Sequence, residues 1–320
     1  MLRVGQDRMG LGWNWGWGLG VSVVLTGCSG VGGASVGEVP VASPAPTPTP
    51  SPTAKLTYSL QRSPQAVVHI LRVPAQSQFT VRVAAADQLQ TVEQFAVKKG
   101  AIAVLNAGFF DPVNQKTTSP ILIEGRSVGQ PEANERLMGN PDLVPYLDKI
   151  LNRSEFRQLR CGGATVYDIA LRQALPPTNC QVEAAIGGGP QLLPTDTAAI
   201  EGFIEVQNGQ LVRDALGYQR PNARSAVGIL ANGDVLLVMA AQIPGQGRSS
   251  GVTLPELAAI LREQGAVKAM NLDGGSSAGM YYQGELFYGQ VSEAGVPVER
   301  AVKSVLWVAA PPPKTEKPGN

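Results

Sequence analysis

Residues 224–240 read RSAVGILANGDVLLVMA, two apolar runs rich in β-branched side chains on either side of Asn232-Gly233. Asn-Gly tolerates the positive φ values of the tight turn that matches the twist of paired strands, so the stretch predicts a β-hairpin. Asn208-Gly209 marks a second hairpin in the same way. Outward from these, short apolar runs bounded by turn residues predict strands at Val67 to Val73, Phe79 to Ala84, Ala101 to Leu105, Ile121 to Ile123, Lys268 to Leu272 and Ser304 to Val308, with Ala226 to Leu230 and Val235 to Ala240 forming the first hairpin. Two helices are expected. Asp87 to Lys99 places Leu89, Val92, Phe95 and Ala96 on one face, and Thr253-Leu254-Pro255-Glu256 is a capping box leading into Leu257 to Gln264, which Gly265 ends. The polar segment from Asn134 to Arg160 is expected to be a helical insertion, with Leu143, Leu147, Ile150 and Leu151 at helical spacing. No repeat of fixed period occurs. These elements predict an α+β domain over residues 55–308, a largely antiparallel or mixed β-sheet core with hairpins and a few flanking helices.

Composition agrees with that size. In 320 residues, 43% are hydrophobic and 26 Lys plus Arg nearly balance 25 Asp plus Glu, which suits a sizeable core and excludes a disordered chain or a basic nucleic-acid binder. The 37 Gly and 25 Pro imply many tight turns. With no net charge to speak of, long-range steering of a charged partner is not available.

The first 27 residues read as an export signal. Arg3 and Arg8 precede a charge-free run over residues 11–25, too short for a membrane span, and Leu25-Thr26-Gly27-Cys28 follows. This resembles the lipobox of bacterial lipoproteins, which implies cleavage before Cys28, lipidation of that residue and attachment to a membrane of the cell envelope, facing away from the cytoplasm. Ser29, where an Asp usually signals inner-membrane retention, favours the outer membrane if one is present. Residues 28–54 include six prolines between positions 40 and 53 and read as a stiff tether, and 309–320 as a disordered tail. Cys161 and Cys180 remain as an even pair, a disulfide in an oxidising compartment or else two buried thiols.

Familiar catalytic constellations are mostly missing. The one histidine, His69, lies within the strand-like Val67-Val68-His69-Ile70 and reads as a structural residue, so a serine triad is not expected. One His and a Cys pair do not make an ordinary zinc site, and Gly187-Gly188-Gly189-Pro190 lacks the continuation of a phosphate-binding or dinucleotide loop. What remains are polar residues beside glycines at strand ends: Asn106-Ala107-Gly108-Phe109-Phe110-Asp111, Arg224-Ser225-Ala226-Val227-Gly228, and Asn271-Leu272-Asp273-Gly274-Gly275-Ser276-Ser277. Such positions let a rigid sheet present side chains at its rim.

Together with Gly188-Gly189-Pro190 and the late Arg300, these stretches resemble the phosphodiester glycosidase family in order and spacing over about residues 65–308. Ala107, Ala223, Ser225 and Ser276 depart from the family pattern, in backbone freedom rather than charge. The resemblance implies cleavage between a sugar's anomeric carbon and a phosphate oxygen, with a glycan or polysaccharide carrying a phosphodiester-linked sugar as partner. A phosphate leaving group holds negative charge well, so cations can take over much of a general acid's task. Asp273 is then the principal carboxylate, as base toward water or as stabiliser of an oxocarbenium-like centre, with Arg224 and Arg300 on the phosphate and Asp111 as the second candidate carboxylate. Asn106 would bind a sugar hydroxyl, the amides of Gly274, Gly275 and Ser276 an anion, and Phe109 or Phe110 a sugar face. Gly108, Gly189, Asn271 and Arg248 complete the implied substrate contacts. No cofactor is expected; a divalent cation on Asp273 is possible, though no ligand spacing demands one. The competing reading is a non-catalytic carbohydrate- or phosphate-binding lipoprotein in exopolysaccharide or envelope assembly.

Overall fold

The computed structural model describes residues 54–246 and 249–309. The export signal, Cys28, most of the tether, the tail beyond residue 309 and Arg248 lie outside the described residues.

The chain opens with β1 (Thr57–Arg62), β2 (Val67–Val73) and β3 (Thr80–Gln90), followed by helix α1 (Val92–Lys99) and β4 (Ala101–Asn106). Then come β5 (Ile121–Ile123), β6 (Arg126–Gly129), the short helices α2 (Glu135–Met138) and α3 (Leu147–Leu151), and the strands β7 (Ser154–Cys161), β8 (Ala164–Leu171), β9 (Cys180–Gly187) and β10 (Gln191–Leu193). A hairpin of β11 (Ile204–Gln207) and β12 (Gln210–Asp214) precedes the long pair β13 (Arg224–Leu230) and β14 (Val235–Ala241). Helix α4 (Leu254–Glu263), β15 (Ala266–Asn271), β16 (Gly279–Tyr282), β17 (Glu285–Tyr288) and β18 (Val302–Ala309) complete it.

Apart from the β11–β12 hairpin, the strands form three antiparallel sheets, ordered β1-β2-β14-β13-β15-β10, β17-β16-β4-β18-β3 and β6-β5-β9-β7-β8. The α+β architecture expected from the hairpin signals is the one observed. One central core takes side chains from all three sheets, among them Leu71, Val83, Leu105, Phe156, Ile186, Val227, Leu237, Met270 and Leu306. Alternation along the strands sends the opposite set outward. Ala226, Leu236, Val238 and Ala269 pack with Leu254, Leu257 and Leu261 of α4, while Val104 and Val305 pack with Val92, Phe95 and Ala96 of α1. Both faces of β13 and β14 are therefore buried, and their sequences are correspondingly almost continuous in apolar residues.

Both Asn-Gly hairpins are present: Asn208 and Gly209 have φ of 51° and 78°, and Gly233 has φ of 86° in the turn joining β13 to β14. Thr253 and Glu256 form the expected capping box at the start of α4. The first helix begins later than the expected Asp87. Thr91 and Gln94 make a capping box of their own, and Asp87 to Gln90 instead extend β3, with Gln90 opposite Val302. The helical insertion expected over 134–160 is corrected too. Its first part forms only short helical turns, and from Ser154 the chain is a buried strand, β7. His69 sits on β2 with Nδ1 2.8 Å from the Tyr58 hydroxyl, and burial pulls its pKa down to about 4, so it remains an uncharged structural group at neutral pH.

Cys161 and Cys180 form a disulfide between register partners of β7 and β9, spanning 19 residues in sequence. Replacing both with serine is expected to cost about 3 kcal/mol through the freed unfolded chain, read as a lower urea midpoint. An unchanged midpoint would mean that the antiparallel pairing alone restrains this loop.

Candidate active site

Four segments meet where β4 and β15 end and β13 begins. The chain leaving β15 is stitched to both sheets: the Leu272 amide donates to Ser225 O at 2.8 Å, the Asp273 amide to Ala107 O at 2.8 Å, and the Gly275 amide to Ala223 O at 2.8 Å. Strand alternation then decides what faces outward. Met270 and Leu272 enter the central core, so Asn271 and Asp273 lie on the other side, as does Arg224, which has the parity of the outward-facing Ala226. Those three residues line a cleft of about 490 Å³, with Phe109, Gly274 and Gly275 and with residues 215–217 and 220–222.

Asp273 is the one carboxylate among the described residues lining this cleft. Burial pushes its carboxyl up to about 6 from the ordinary 3.8, against the hydrogen bonds of the Ser277 hydroxyl and the Gly274 amide and the positive charge of Arg300. The Gly274 amide reaches Asp273 Oδ1 at 3.0 Å. Arg300 does not line the cleft; its Nη1 donates to Ser276 Oγ at 2.9 Å and its guanidinium lies 5.5 Å from the centre of the Phe110 ring, beside the Asp273 loop. Phe109 is the aromatic that faces the cleft, whereas Phe110 is buried.

Several expected contacts are corrected. Asn106 is fully buried and committed to the protein: Nδ2 donates to Asp273 O at 2.6 Å, while Oδ1 accepts from the Ser225 hydroxyl at 2.6 Å and the Gly279 amide at 3.1 Å. It is a brace for the Asp273 loop, and its complete burial keeps it from a sugar. The Gly274 and Gly275 amides are likewise taken, by Asp273 Oδ1 and Ala223 O, so the expected anion nest is not built. Glycine is nevertheless required at Gly274, where a Cβ would stand 2.7 Å from Ala223 O. Gly108 and Gly189 do not line the cleft. Gly108 is enclosed by Gly187, Ile186 and Ser119, and Gly189, at φ of 104°, lies against the buried Glu201, whose Oε2 would be 2.2 Å from a Cβ there. Glu201 in turn accepts from the Ser154 amide and hydroxyl and from the Gln191 amide, fixing the Gly-Gly-Pro turn beneath Asn271.

Asp111 also falls outside the cleft. Slight burial pushes its carboxyl up, but the Val113 amide and the Arg136 guanidinium outweigh that and hold it below the ordinary value, in a surface pair 2.8 Å long. Arg224 is present but occupied. Its Nε donates to Val252 O at 3.3 Å, Nη1 to Leu216 O at 3.0 Å, and Nη2 to Gly217 O at 2.8 Å and Arg220 O at 3.1 Å. Four of a guanidinium's five donors are thus spent on backbone carbonyls, where a phosphate fork needs an open edge. The residue that those bonds hold in place, Arg220, is exposed and lines the cleft with a side chain that makes no hydrogen bond or ion pair among the described residues. Sequence reading passed over Arg220, together with the cleft residues Asn222, Gln242 and Gln290. The only available signal was proximity, since Arg220 and Asn222 directly precede the Ala223-Arg224 motif. Among the described residues no group of three or more His, Cys, Asp or Glu side chains is placed to hold a metal ion.

Fold and cleft together define an α+β domain of three antiparallel sheets with one half-buried carboxylate at a strand-end cleft. Residues 99–309 match the phosphodiester glycosidase family, and the chain belongs to that family. It is 27% identical over 201 residues to mouse N-acetylglucosamine-1-phosphodiester alpha-N-acetylglucosaminidase, covering 61% of this chain and 34% of the mouse protein, so it spans about a third of that relative's length. Its fold is similar to the catalytic domain of the zebrafish enzyme of the same name, auto-inhibited by its pro-peptide (TM-score 0.57, 20% identity, 82% of this chain and 86% of that one). A hypothetical protein from Synechocystis is also similar in fold (TM-score 0.53, 17% identity, 79% of this chain and 62% of that one).

Proposed function

We propose that this protein is a glycosidase that hydrolyses the bond between an anomeric carbon and a phosphate oxygen in glycan 1-phosphodiesters, held at the cell envelope through a lipid on Cys28. The observation that carries the reading is the charge inventory of the cleft: among the described residues that line it there is one carboxylate, Asp273, and one uncommitted cation, Arg220. An ordinary glycosidase uses two carboxyl groups, one of them to protonate a poor leaving group. A departing phosphomonoester keeps its negative charge, with a second pKa near ~6, so a guanidinium can stand where the acid would otherwise be. Asp273 in its ionised form then serves as base toward water or as stabiliser of the cationic anomeric centre. Arg300 lends a second positive charge from behind Ser276. Phe109 offers an apolar face to the sugar ring.

The test is turnover of a synthetic sugar 1-phosphodiester by the purified chain, with free sugar and phosphomonoester as the products. Arg220→Ala is expected to lower kcat/KM about a hundredfold. Binding of the diester without turnover would replace the enzyme with a carbohydrate- or phosphate-binding module. Release of phosphate without free sugar would move the chemistry to another phosphodiester bond.

A further inference from the structure

Asn271 presents an atom that the protein leaves unused. Its side chain is only 1% exposed, and its Nδ2 donates to Gly189 O at 3.0 Å, yet its Oδ1 is buried with no hydrogen-bond partner among the described residues. The amide cannot be turned round to relieve this, because the Gly189 carbonyl can only accept and would then face Oδ1. An orphaned buried acceptor destabilises the fold, a cost that folding alone would remove by substitution. Asn271 lines the cleft that holds Asp273, and the two side chains lie on the same side of the chain, two residues apart where the Leu272 amide continues the ladder onto Ser225. Side chains so placed are roughly 6–7 Å apart at their bases. Resting on the proposed sugar 1-phosphodiester reading, we infer that Asn271 Oδ1 is a specificity-determining acceptor for a hydrogen-bond donor, a hydroxyl or an acylamino N–H, on the sugar carbon next to the anomeric centre that Asp273 faces. A carboxylate at the anomeric carbon leaves that neighbouring substituent as the group within reach of the second acceptor.

The experiment uses three sugar 1-phosphodiesters that differ only at this carbon, carrying hydroxyl, acetamido or hydrogen. The full chain is expected to favour at least one donor-bearing substrate over the deoxy one by about tenfold to a hundredfold in kcat/KM, the worth of one hydrogen bond to a buried acceptor. In Asn271→Ala that ratio is expected to fall close to one, whereas loss of the Gly189 anchor alone would slow all three substrates equally and leave the ratio intact. Equal turnover of all three by the unaltered chain, or an unchanged ratio in the variant, overturns the inference while the glycosidase reading stands. No turnover of any of them overturns both. Should Asn271→Ala not fold, the substrate series on the unaltered chain decides the matter by itself.

Discussion

Asp273→Asn is expected to abolish turnover, by at least about a thousandfold, and at the same time to raise the protein's stability above that of the parent. The first effect follows from removing the one carboxylate among the described residues of the cleft, where a positioned base contributes on the order of a hundred- to ten-thousandfold. The second follows from the direction of its pKa. Burial lifts the carboxyl to about 6 from 3.8, so between those values the folded chain holds a proton that the unfolded chain has released. A raised acid pKa means that ionisation disfavours the fold; the penalty is absent below pH 4, grows through pH 6 and is full above it. At neutral pH it amounts to about 3 kcal/mol, equivalent to roughly 6–12 °C in Tm for a domain of this size. Asparagine keeps an oxygen for the Gly274 amide and carries no charge to desolvate. Melting curves of parent and variant should therefore coincide near pH 4 and separate as pH rises, with Asp273→Asn the more stable. On the parent, kcat/KM should fall on the acid side of about pH 6 as the carboxylate is protonated. Equal stability at pH 8, or turnover that survives the substitution, would show that Asp273 is not the buried functional carboxylate.

How far such a site can be read from sequence depends on where each residue's partners lie. The β13–β14 hairpin declares itself, because Asn232-Gly233 and two runs buried on both faces carry all the needed information locally. Strand β7 does not. SEFRQLRC looks like surface, yet Arg157 is buried, with Nε on Glu155 at 2.8 Å and its remaining donors on the carbonyls of Leu171, Arg172 and Ala174 from the next turn of chain. The place of Asp273 at a strand-end cleft was legible because it follows an apolar strand run and precedes Gly-Gly, although Asp-Gly-Gly by itself is ordinary turn chemistry. Asn106 was misread for the opposite reason: the groups that consume its amide come from 119, 167 and 173 residues away. Arg224 was misread for a different reason: the carbonyls that occupy it lie only 4, 7, 8 and 28 residues away, but no local pattern shows that a guanidinium turns to the backbone, and so Arg220 beside it went unnoticed.

That division of labour makes the second large prediction. Arg224→Ala is expected to destabilise the protein by about 3–5 kcal/mol, roughly 10 °C in Tm, since it strands the carbonyls of Val252, Leu216, Gly217 and Arg220 in a buried setting. Arg224→Lys should recover less than half of this, because an ammonium is a single point that cannot span four acceptors held by a planar fork. Arg220→Ala, at an exposed side chain with no partner among the described residues, should leave Tm within about 2 °C while it lowers kcat/KM. The two arginines thus separate along different axes, one in stability and the other in catalysis. An Arg224 that gripped phosphate itself would reverse the pattern, with Arg224→Ala melting like the parent and Arg220→Ala turning over substrate at the parent rate. Should that reversal be measured, the carbonyl bonds would have to break when substrate enters, and the cleft residues 215–217 and 220–222 would have to move with them.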